Sequence, residues 1–129
     1  MGLISVLERQ YKQDAVYWGN PQENGSGGFT FDDPVEIKCR WEDIKQVVTD
    51  KKGNEIASRA VIYVKQDLDE EGMIYLGTLD DLTSAMEIDP KEVENAFIIK
   101  RFAKVPSLQS STEFVRAAYL TPSLSFGGF

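Results

Sequence analysis

The chain has 129 residues and a net charge of −7 from 14 basic and 21 acidic side chains, with one cysteine and no histidine. A chain of this length is expected to form one domain with one hydrophobic core. The lack of histidine excludes Ser-His-Asp and Cys-His catalysis within one chain, and zinc sites built from histidine and cysteine. The single cysteine excludes an intramolecular disulfide, and the acidic balance argues against a general nucleic-acid-binding protein, which needs a basic face.

Residues 1–12 are predicted to form an N-terminal arm. Leu3, Leu7 and Tyr11 recur at helical spacing and make a short amphipathic face, which we expect a partner to cover. The arm lacks the basic stretch and long apolar run of a secretory signal, and no apolar run in the chain approaches the ~20 residues that span a bilayer. We therefore expect no membrane partner, and the single cysteine fits a reducing compartment.

Aromatic side chains flank a glycine-rich segment. Residues 14–18 predict a short strand ending in Tyr17 and Trp18, and Gly19–Gly28 contains four glycines and predicts an exposed, flexible loop. One hypothesis is a stacking platform for single-stranded nucleic acid on a barrel of OB type, built from five aromatic residues: Tyr17, Trp18, Phe29, Phe31 and Trp41. Because acidic rather than basic residues surround Tyr17 and Trp18, packing in the core or at a protein interface is favoured.

The clearest pattern in the sequence is the strict alternation of apolar and charged residues over 35–42. A period of two predicts a strand with one buried face and one wet face, which places Cys39 toward the core as an inert thiol. Residues 43–49 are expected to continue as a second strand or to form a bent extension. Residues 50–54 then predict a hairpin turn, and residues 55–65 predict a long returning strand.

The second half of the chain alternates short strands with turns. Residues 66–72 form an acidic turn, and residues 78–86 are ambiguous, with one helical turn as one interpretation. Asp89 followed by Pro90 predicts the start of a short helix, because aspartate favours the N-cap and proline the first helical position. The remaining strands are predicted at residues 73–76, 96–105 and 113–120.

These elements predict a mainly β fold, a small β-barrel or sandwich-like domain with one to three short helices, a long glycine-rich loop and extended termini. The predicted boundaries are an N-terminal arm at 1–12, a β-barrel domain at 13–120 and a C-terminal arm at 121–129. The C-terminal arm carries Leu124, Phe126 and Phe129 and no charged residue, which indicates an anchor for a partner.

The acidic turn has part of the pattern of a calcium-binding loop. Asp67, Asp69 and Glu71 fall at positions one, three and five, but Thr78 stands where a bidentate glutamate is required, and strands rather than helices flank the turn. The acidic pairs elsewhere lie in predicted turns, where aspartate is favoured for its geometry. We therefore expect no metal, no cofactor and no enzymatic activity.

Several segments in a fixed order resemble neck proteins of tailed bacteriophages, the family of head-closure, stopper or head–tail joining proteins. The likeness begins with Tyr17-Trp18 before the glycine-rich loop, the strand of residues 35–43, and a hairpin marked by Asp50, Gly53, Glu55 and Ser58. It continues with three further segments: residues 96–100, Val105-Pro106 and residues 114–120.

The resemblance implies a virion structural protein at the head–tail interface, made in the bacterial cytoplasm. Six or twelve copies are expected to form a ring between the portal or adaptor protein and a tail terminator or tail tube protein. The ring connects head to tail and helps to retain or pass genomic DNA without sequence-specific binding. A tail-completion (terminator) protein, a minor tail protein and an OB-type nucleic-acid-binding module stay as alternatives.

Two sets of candidate residues follow from this interpretation. The interface candidates are Leu3, Leu7, Tyr11, Tyr17, Trp18, Leu124, Phe126 and Phe129. An acidic lumen repels the DNA phosphates at short range and lets the genome slide. The channel-facing candidates are therefore those of the acidic turn: Asp67, Asp69, Glu70 and Glu71.

Overall fold

The computed structural model describes residues 11–25, 28–50, 52–107 and 110–122. Six strands close into a barrel in the order β1-β4-β5-β8-β7-β6, with every pairing antiparallel. The prediction of a small, mainly β barrel with few short helices is therefore confirmed. The barrel strands are β1 (Gln13–Trp18), β4 (Val35–Thr49), β5 (Glu55–Val64), β6 (Met73–Leu76), β7 (Phe97–Ser107) and β8 (Ser110–Pro122).

The remaining elements are short. A two-stranded hairpin of β2 (Gln22–Glu23) and β3 (Phe29–Thr30) lies outside the barrel sheet. One α-helix, α1 (Ser84–Ile88), lies between two single-turn 3₁₀ helices, Leu79–Asp81 and Pro90–Glu92. We call residues 78–95, which contain all three helical turns, the helical cap. No helix in the described part of the chain is long and apolar enough to cross a membrane.

β1 is buried on both faces, which explains its continuous run of apolar residues. Ala15 and Tyr17 face the barrel interior, where they pack with the main core. Val16 and Trp18 point to the outer wall and belong to a second core that the helical cap covers. Because side chains alternate along a strand, a strand sandwiched between two cores is apolar at successive positions.

The barrel interior is filled with side chains. Fully buried Ile62, Ile74, Ile99 and Leu120 occupy its centre. Leu68, from the turn between β5 and β6, joins the same cluster although it belongs to no strand. The one buried polar residue in the described core, Ser58, donates its hydroxyl to the carbonyls of Ala60 (2.9 Å) and Leu120 (3.2 Å). The interior is therefore a packed core and not a channel.

Two hairpins extend past the closed wall. β5 pairs with β8 only as far as Ala60, so the far parts of β4 and β5 pair only with each other. A register shift between Asp43 and Gln46 separates this far part from the wall. We call residues 43–59 the β4–β5 arm. β7 and β8 extend in the same manner, because their mutual pairing continues past Arg116 to Ser107 and Ser110.

Several element predictions are confirmed, and two boundaries are wrong. The alternating strand continues to Thr49, and the turn after it closes through Asp50. The segment 19–28, predicted as a loop throughout, contains β2, which pairs with β3 through Gln22 and Thr30. The C-terminal arm, predicted from residue 121, begins inside β8, where Thr121 pairs with Ile98.

Candidate interaction surfaces

The acidic turn of residues 66–72 is held by cations from the neighbouring hairpin. The carboxylate of Asp67 accepts from Nε of Arg116 at 2.7 Å and lies 3.5 Å from Nζ of Lys104. The hydrogen bond from Arg116, supported by the charge of Lys104, lowers the pKa of Asp67. These two cations lie opposite each other in the β7–β8 ladder, so the first carboxylate of the turn is committed to this subunit.

The next two carboxylates accept hydrogen bonds from backbone amides. Asp69 accepts from the amide of Asn20 at 2.8 Å, and Glu70 accepts from the amide of Phe102 at 2.9 Å. The Phe102 amide belongs to the edge of β7 beyond its short pairing with β6, which leaves it without a ladder partner there. The two side chains thus replace missing strand pairing at this end of the barrel.

Glu71 completes the turn in an unusual backbone conformation. Its φ is 71°, in the left-handed region, and its amide donates to the carbonyl of Ile99 at 2.7 Å. The carboxylate lies 3.4 Å from Nζ of Lys100. Four carboxylates of the turn therefore meet three cations and two backbone amides of the same subunit. Their orientation toward a channel stays a prediction, and the turn presents much less net charge than its sequence indicates.

Trp18 lies inside the subunit. Its side chain is 0% exposed in the second core, and its indole Nε1 donates to the carbonyl of Glu87 in the helical cap at 2.9 Å. The helical cap already covers this side chain within the subunit, and a role for Trp18 at an interface stays a prediction. Trp18 holds the cap to the barrel wall.

Tyr17 faces the opposite side of β1 and connects the barrel to the acidic turn. Its hydroxyl accepts from the amide of Asp69 at 2.7 Å. The pKa of the Tyr17 hydroxyl is raised to about 12, mainly because the side chain is partly buried. Tyr17 is half-buried and its ring packs against the main core, and its role as an interface residue stays a prediction.

Of the predicted N-terminal arm, the structure describes Tyr11 and Lys12. Tyr11 is only 6% exposed and lines a cavity of ≈ 140 Å³ together with Tyr63 and Val115. Tyr11 thus packs on its own barrel rather than on a partner. The other terminal interface candidates, Leu3, Leu7, Leu124, Phe126 and Phe129, lie outside the described residues.

The five aromatic residues of the stacking hypothesis do not share one surface. Phe29 and Phe31 pair at 6.5 Å between ring centroids near the β2–β3 hairpin. Trp41 packs edge-on against Phe97 at 5.2 Å, next to the main core. With Trp18 under the helical cap, these rings are distributed over separate parts of the molecule, so a continuous platform for bases is absent from the described residues.

The helical cap is the most acidic surface of the described chain. It contains six carboxylates, at Asp80, Asp81, Glu87, Asp89, Glu92 and Glu94, and one cation, Lys91. Asp81 and Asp89 are used as helix caps, which leaves most of the others to solvent. Ile88, in the middle of this surface, is 79% exposed. The signal for this surface in the sequence is the density of acidic residues between the strands predicted at 73–76 and 96–105.

The β4–β5 arm carries a groove of ≈ 420 Å³ on the far part of the hairpin. Val47 is 61% exposed and lies opposite Ala57 in the ladder. Lys45, in the register shift, and Arg59, two residues after Ala57, line the same groove at one end of this apolar pair. The groove is therefore apolar at the Val47–Ala57 pair and positively charged beside it. Its signal in the sequence was the break in alternation after Asp43.

The described part of the chain shows neither a cluster of metal ligands nor an accessible thiol. No group of three or more acidic or cysteine side chains there is arranged to hold a metal ion. Cys39 is fully buried, and this burial raises the pKa of its thiol to about 11.

Comparisons with known proteins returned no family model, no curated protein and no solved structure that matches this chain.

Proposed function

We propose that the chain is a structural subunit of the neck of a tailed bacteriophage, which forms a ring between the portal or adaptor and the tail. The ring connects head and tail and helps to retain or pass the genome. The proposal starts from the resemblance of the sequence to neck proteins. The observation that supports it best is the architecture, a closed barrel with a packed interior and two hairpins that extend past its wall.

This architecture suits a ring subunit for a physical reason. A closed barrel leaves no long sheet edge within its wall, so copies do not polymerise without control. Within the described residues, the extended part of the β4–β5 hairpin offers an unpaired edge, because β4 beyond Cys39 has no ladder partner there on the side of β1. A rigid body with exposed arms is therefore able to bind neighbours at defined places while the body keeps its shape.

A tail-completion protein or a minor tail protein remains the second candidate, since a barrel with arms serves equally well at the tail end. The OB-type nucleic-acid-binding module has less support. Its aromatic residues do not form one platform, and Trp18 is covered by the helical cap. Single-strand binding also requires a basic groove along the backbone, whereas the described surface is richest in carboxylates.

The experiment is a nonsense mutation in the gene of the phage that encodes the chain, with electron microscopy of the resulting lysate. A neck role predicts heads that lack tails, together with free tails of normal length. Complementation with the wild-type gene, or with the exposed control variant Lys65→Ala, restores complete particles.

The other outcomes separate the candidates. Filled, stable heads together with tails of abnormal length or unfinished ends indicate the tail-completion role. Complete, infectious particles in the absence of the protein contradict both roles.

A further inference from the structure

The helical cap and the groove of the β4–β5 arm occupy different parts of the molecule. The cap packs over residues of β1, β6 and the start of β7, namely Val16, Met73, Tyr75 and Ile98, and the amide of Leu79 donates to Glu36 at the start of β4. The groove lies on residues 45–47 and 57–59, beyond the register shift that separates the arm from the wall. One subunit is able to use both surfaces at once without interfering with itself.

The two surfaces are complementary in charge. The cap has six acidic residues and one basic residue, which gives a net charge of −5 within residues 78–95. Lys45 and Arg59 at the groove are exposed, and neither forms an ion pair within the described part of the chain. Two exposed cations at the groove and an acidic cap elsewhere on the same subunit form an arrangement that steers identical subunits head to tail.

The two surfaces also match in their apolar centres. Ile88, at 79%, is the most exposed large hydrophobic side chain among the described residues. The carboxylates of Glu87 and Glu92 lie near it in sequence. Val47, at 61%, lies on the groove with Ala57 opposite it and with both cations on one side of that pair. An exposed apolar side chain next to charge of one sign fits an apolar groove next to charge of the other, because interfaces combine an apolar core with a polar rim.

We propose that the helical cap of one copy docks into the β4–β5 groove of the next, with Ile88 against Val47 and Ala57, and the cap carboxylates against Lys45 and Arg59. The contact joins two different surfaces of the same chain, so it is heterologous and closes into a ring or continues as a filament. The proposal rests on the proposed function for its setting, since a neck ring needs a contact between copies, and it names the residues of that contact.

The test is cross-linking between two cysteine variants, Ile88→Cys and Val47→Cys, mixed in equal amounts and treated with a short bis-maleimide reagent. Both positions are exposed, so the substitutions leave the cores intact. The native Cys39 is buried with a raised thiol pKa and does not compete. The matched control pairs Ile88→Cys with Val105→Cys, because Val105 is also exposed, at 56%, but lies on β7 away from the groove.

We expect the Val47→Cys and Ile88→Cys mixture to cross-link about tenfold faster than the control mixture, which corresponds to ~1.4 kcal/mol of contact free energy. Adding Lys45→Glu and Arg59→Glu to the groove variant should abolish this advantage. Adding Glu92→Lys and Glu94→Lys to the cap variant should then restore part of it. Raising the salt concentration should lower the cross-linking rate of the mixture that keeps the wild-type charges, because exposed charges are screened.

Equal rates for the two mixtures, or a groove charge reversal that changes nothing, overturn the docking proposal. Circular dichroism and urea unfolding of each variant establish that the compared proteins are folded. The result is independent of the nonsense mutation described above. Tailless heads without selective cross-linking support the neck role and reject this contact. Selective cross-linking together with normal particles supports the contact and rejects the neck role.

Discussion

The acidic turn and the helical cap are both rich in carboxylates, but those of the turn are paired within the subunit, whereas most of those of the cap are exposed to solvent. In the turn (residues 66–72), Asp67 pairs with Arg116 and Lys104, and Glu71 pairs with Lys100. The other two carboxylates of the turn accept hydrogen bonds from backbone amides. In the cap, residues 78–95, one lysine accompanies six acidic residues. The turn uses its charge to close one end of the barrel, whereas the cap keeps its charge for the surface.

The difference arises from what each segment is attached to. The turn crosses the exposed edge of β7, where amides lack ladder partners and where the basic residues of β7 and β8 are near. The cap packs on an apolar wall and is anchored by two hydrogen bonds, from the Trp18 indole to the carbonyl of Glu87 and from the amide of Leu79 to Glu36, while most of its carboxylates are exposed. Local charge density in a sequence therefore does not predict surface charge unless the neighbouring strands are known.

The largest expected effect is on the anchor of the cap. Trp18→Ala should lower the free energy of unfolding by ~3–5 kcal/mol, because it removes a fully buried indole and leaves a cavity under the cap. Trp18→Phe is the matched control, since it keeps most of the packing and loses the hydrogen bond to Glu87. Urea unfolding measures both. A loss below about 1 kcal/mol for Trp18→Ala would mean that the cap is not packed on this wall.

The acidic turn has an apolar anchor as well. Leu68 is 5% exposed and packs in the main core, so Leu68→Ala should lower the free energy of unfolding by ~2–5 kcal/mol. Leu68→Met conserves volume and serves as the control, with a cost below ~1.5 kcal/mol. If Leu68→Ala unfolds at the same urea concentration as the wild type, the turn is held by its ion pairs and hydrogen bonds alone and, unlike the helical cap, has no apolar anchor.

A smaller effect is expected for the ion pair of the turn. The lowered pKa of Asp67 means that the folded state holds the carboxylate in its ionised form more strongly than the unfolded state. This contribution is present above the unfolded pKa of ~3.9 and is lost as the pH falls through the folded pKa. Since Asp67 is mostly exposed, Asp67→Asn should cost at most ~1 kcal/mol at pH 7.

The measurement for Asp67 is urea unfolding of wild type and Asp67→Asn across pH 2 to 7. The gap in stability should close on acidification below about pH 4, where the wild-type carboxylate becomes protonated. Asp43→Asn is the control, because Asp43 is also an exposed aspartate but takes part in none of the salt bridges of the described residues. A gap between wild type and Asp67→Asn that stays constant with pH would exclude the ion pair as its cause.

Much of the fold could be predicted from the sequence because its signals are local. The alternation that ends near Trp41 defines β4, and the turn residues from Asp50 to Asn54 define the hairpin after it. The continuous apolar run ending in Trp18 was correctly interpreted as a strand, but its burial on both faces was not predicted. That burial depends on the cap, which lies about 70 residues later in the chain (the Trp18 to Glu87 hydrogen bond spans 69).

The candidate site was harder to predict for the same reason. The pairing of Asp67 with Arg116 joins residues 49 positions apart, and no periodicity in the sequence connects them. The exposure of Val47 depends on the register shift after Asp43, which moves alternate side chains to the other face. The sequence around Tyr17 and Trp18 favours packing either in the core or at an interface, and only their contacts in the fold show that both rings pack against the cores of the subunit.

The most direct test of the contrast between the two segments compares two double variants that remove the same number of charges. Asp67→Asn with Glu71→Gln neutralises the turn, and Asp80→Asn with Glu94→Gln neutralises exposed positions of the cap. The free energy of unfolding is measured at low and at high salt. We predict that the turn variant is less stable than wild type, whereas the cap variant is as stable or more stable, with the larger gain at low salt because like-charge repulsion is relieved. Equal losses in both variants would contradict the account, since they would mean that the cap carboxylates are also committed to contacts within the subunit.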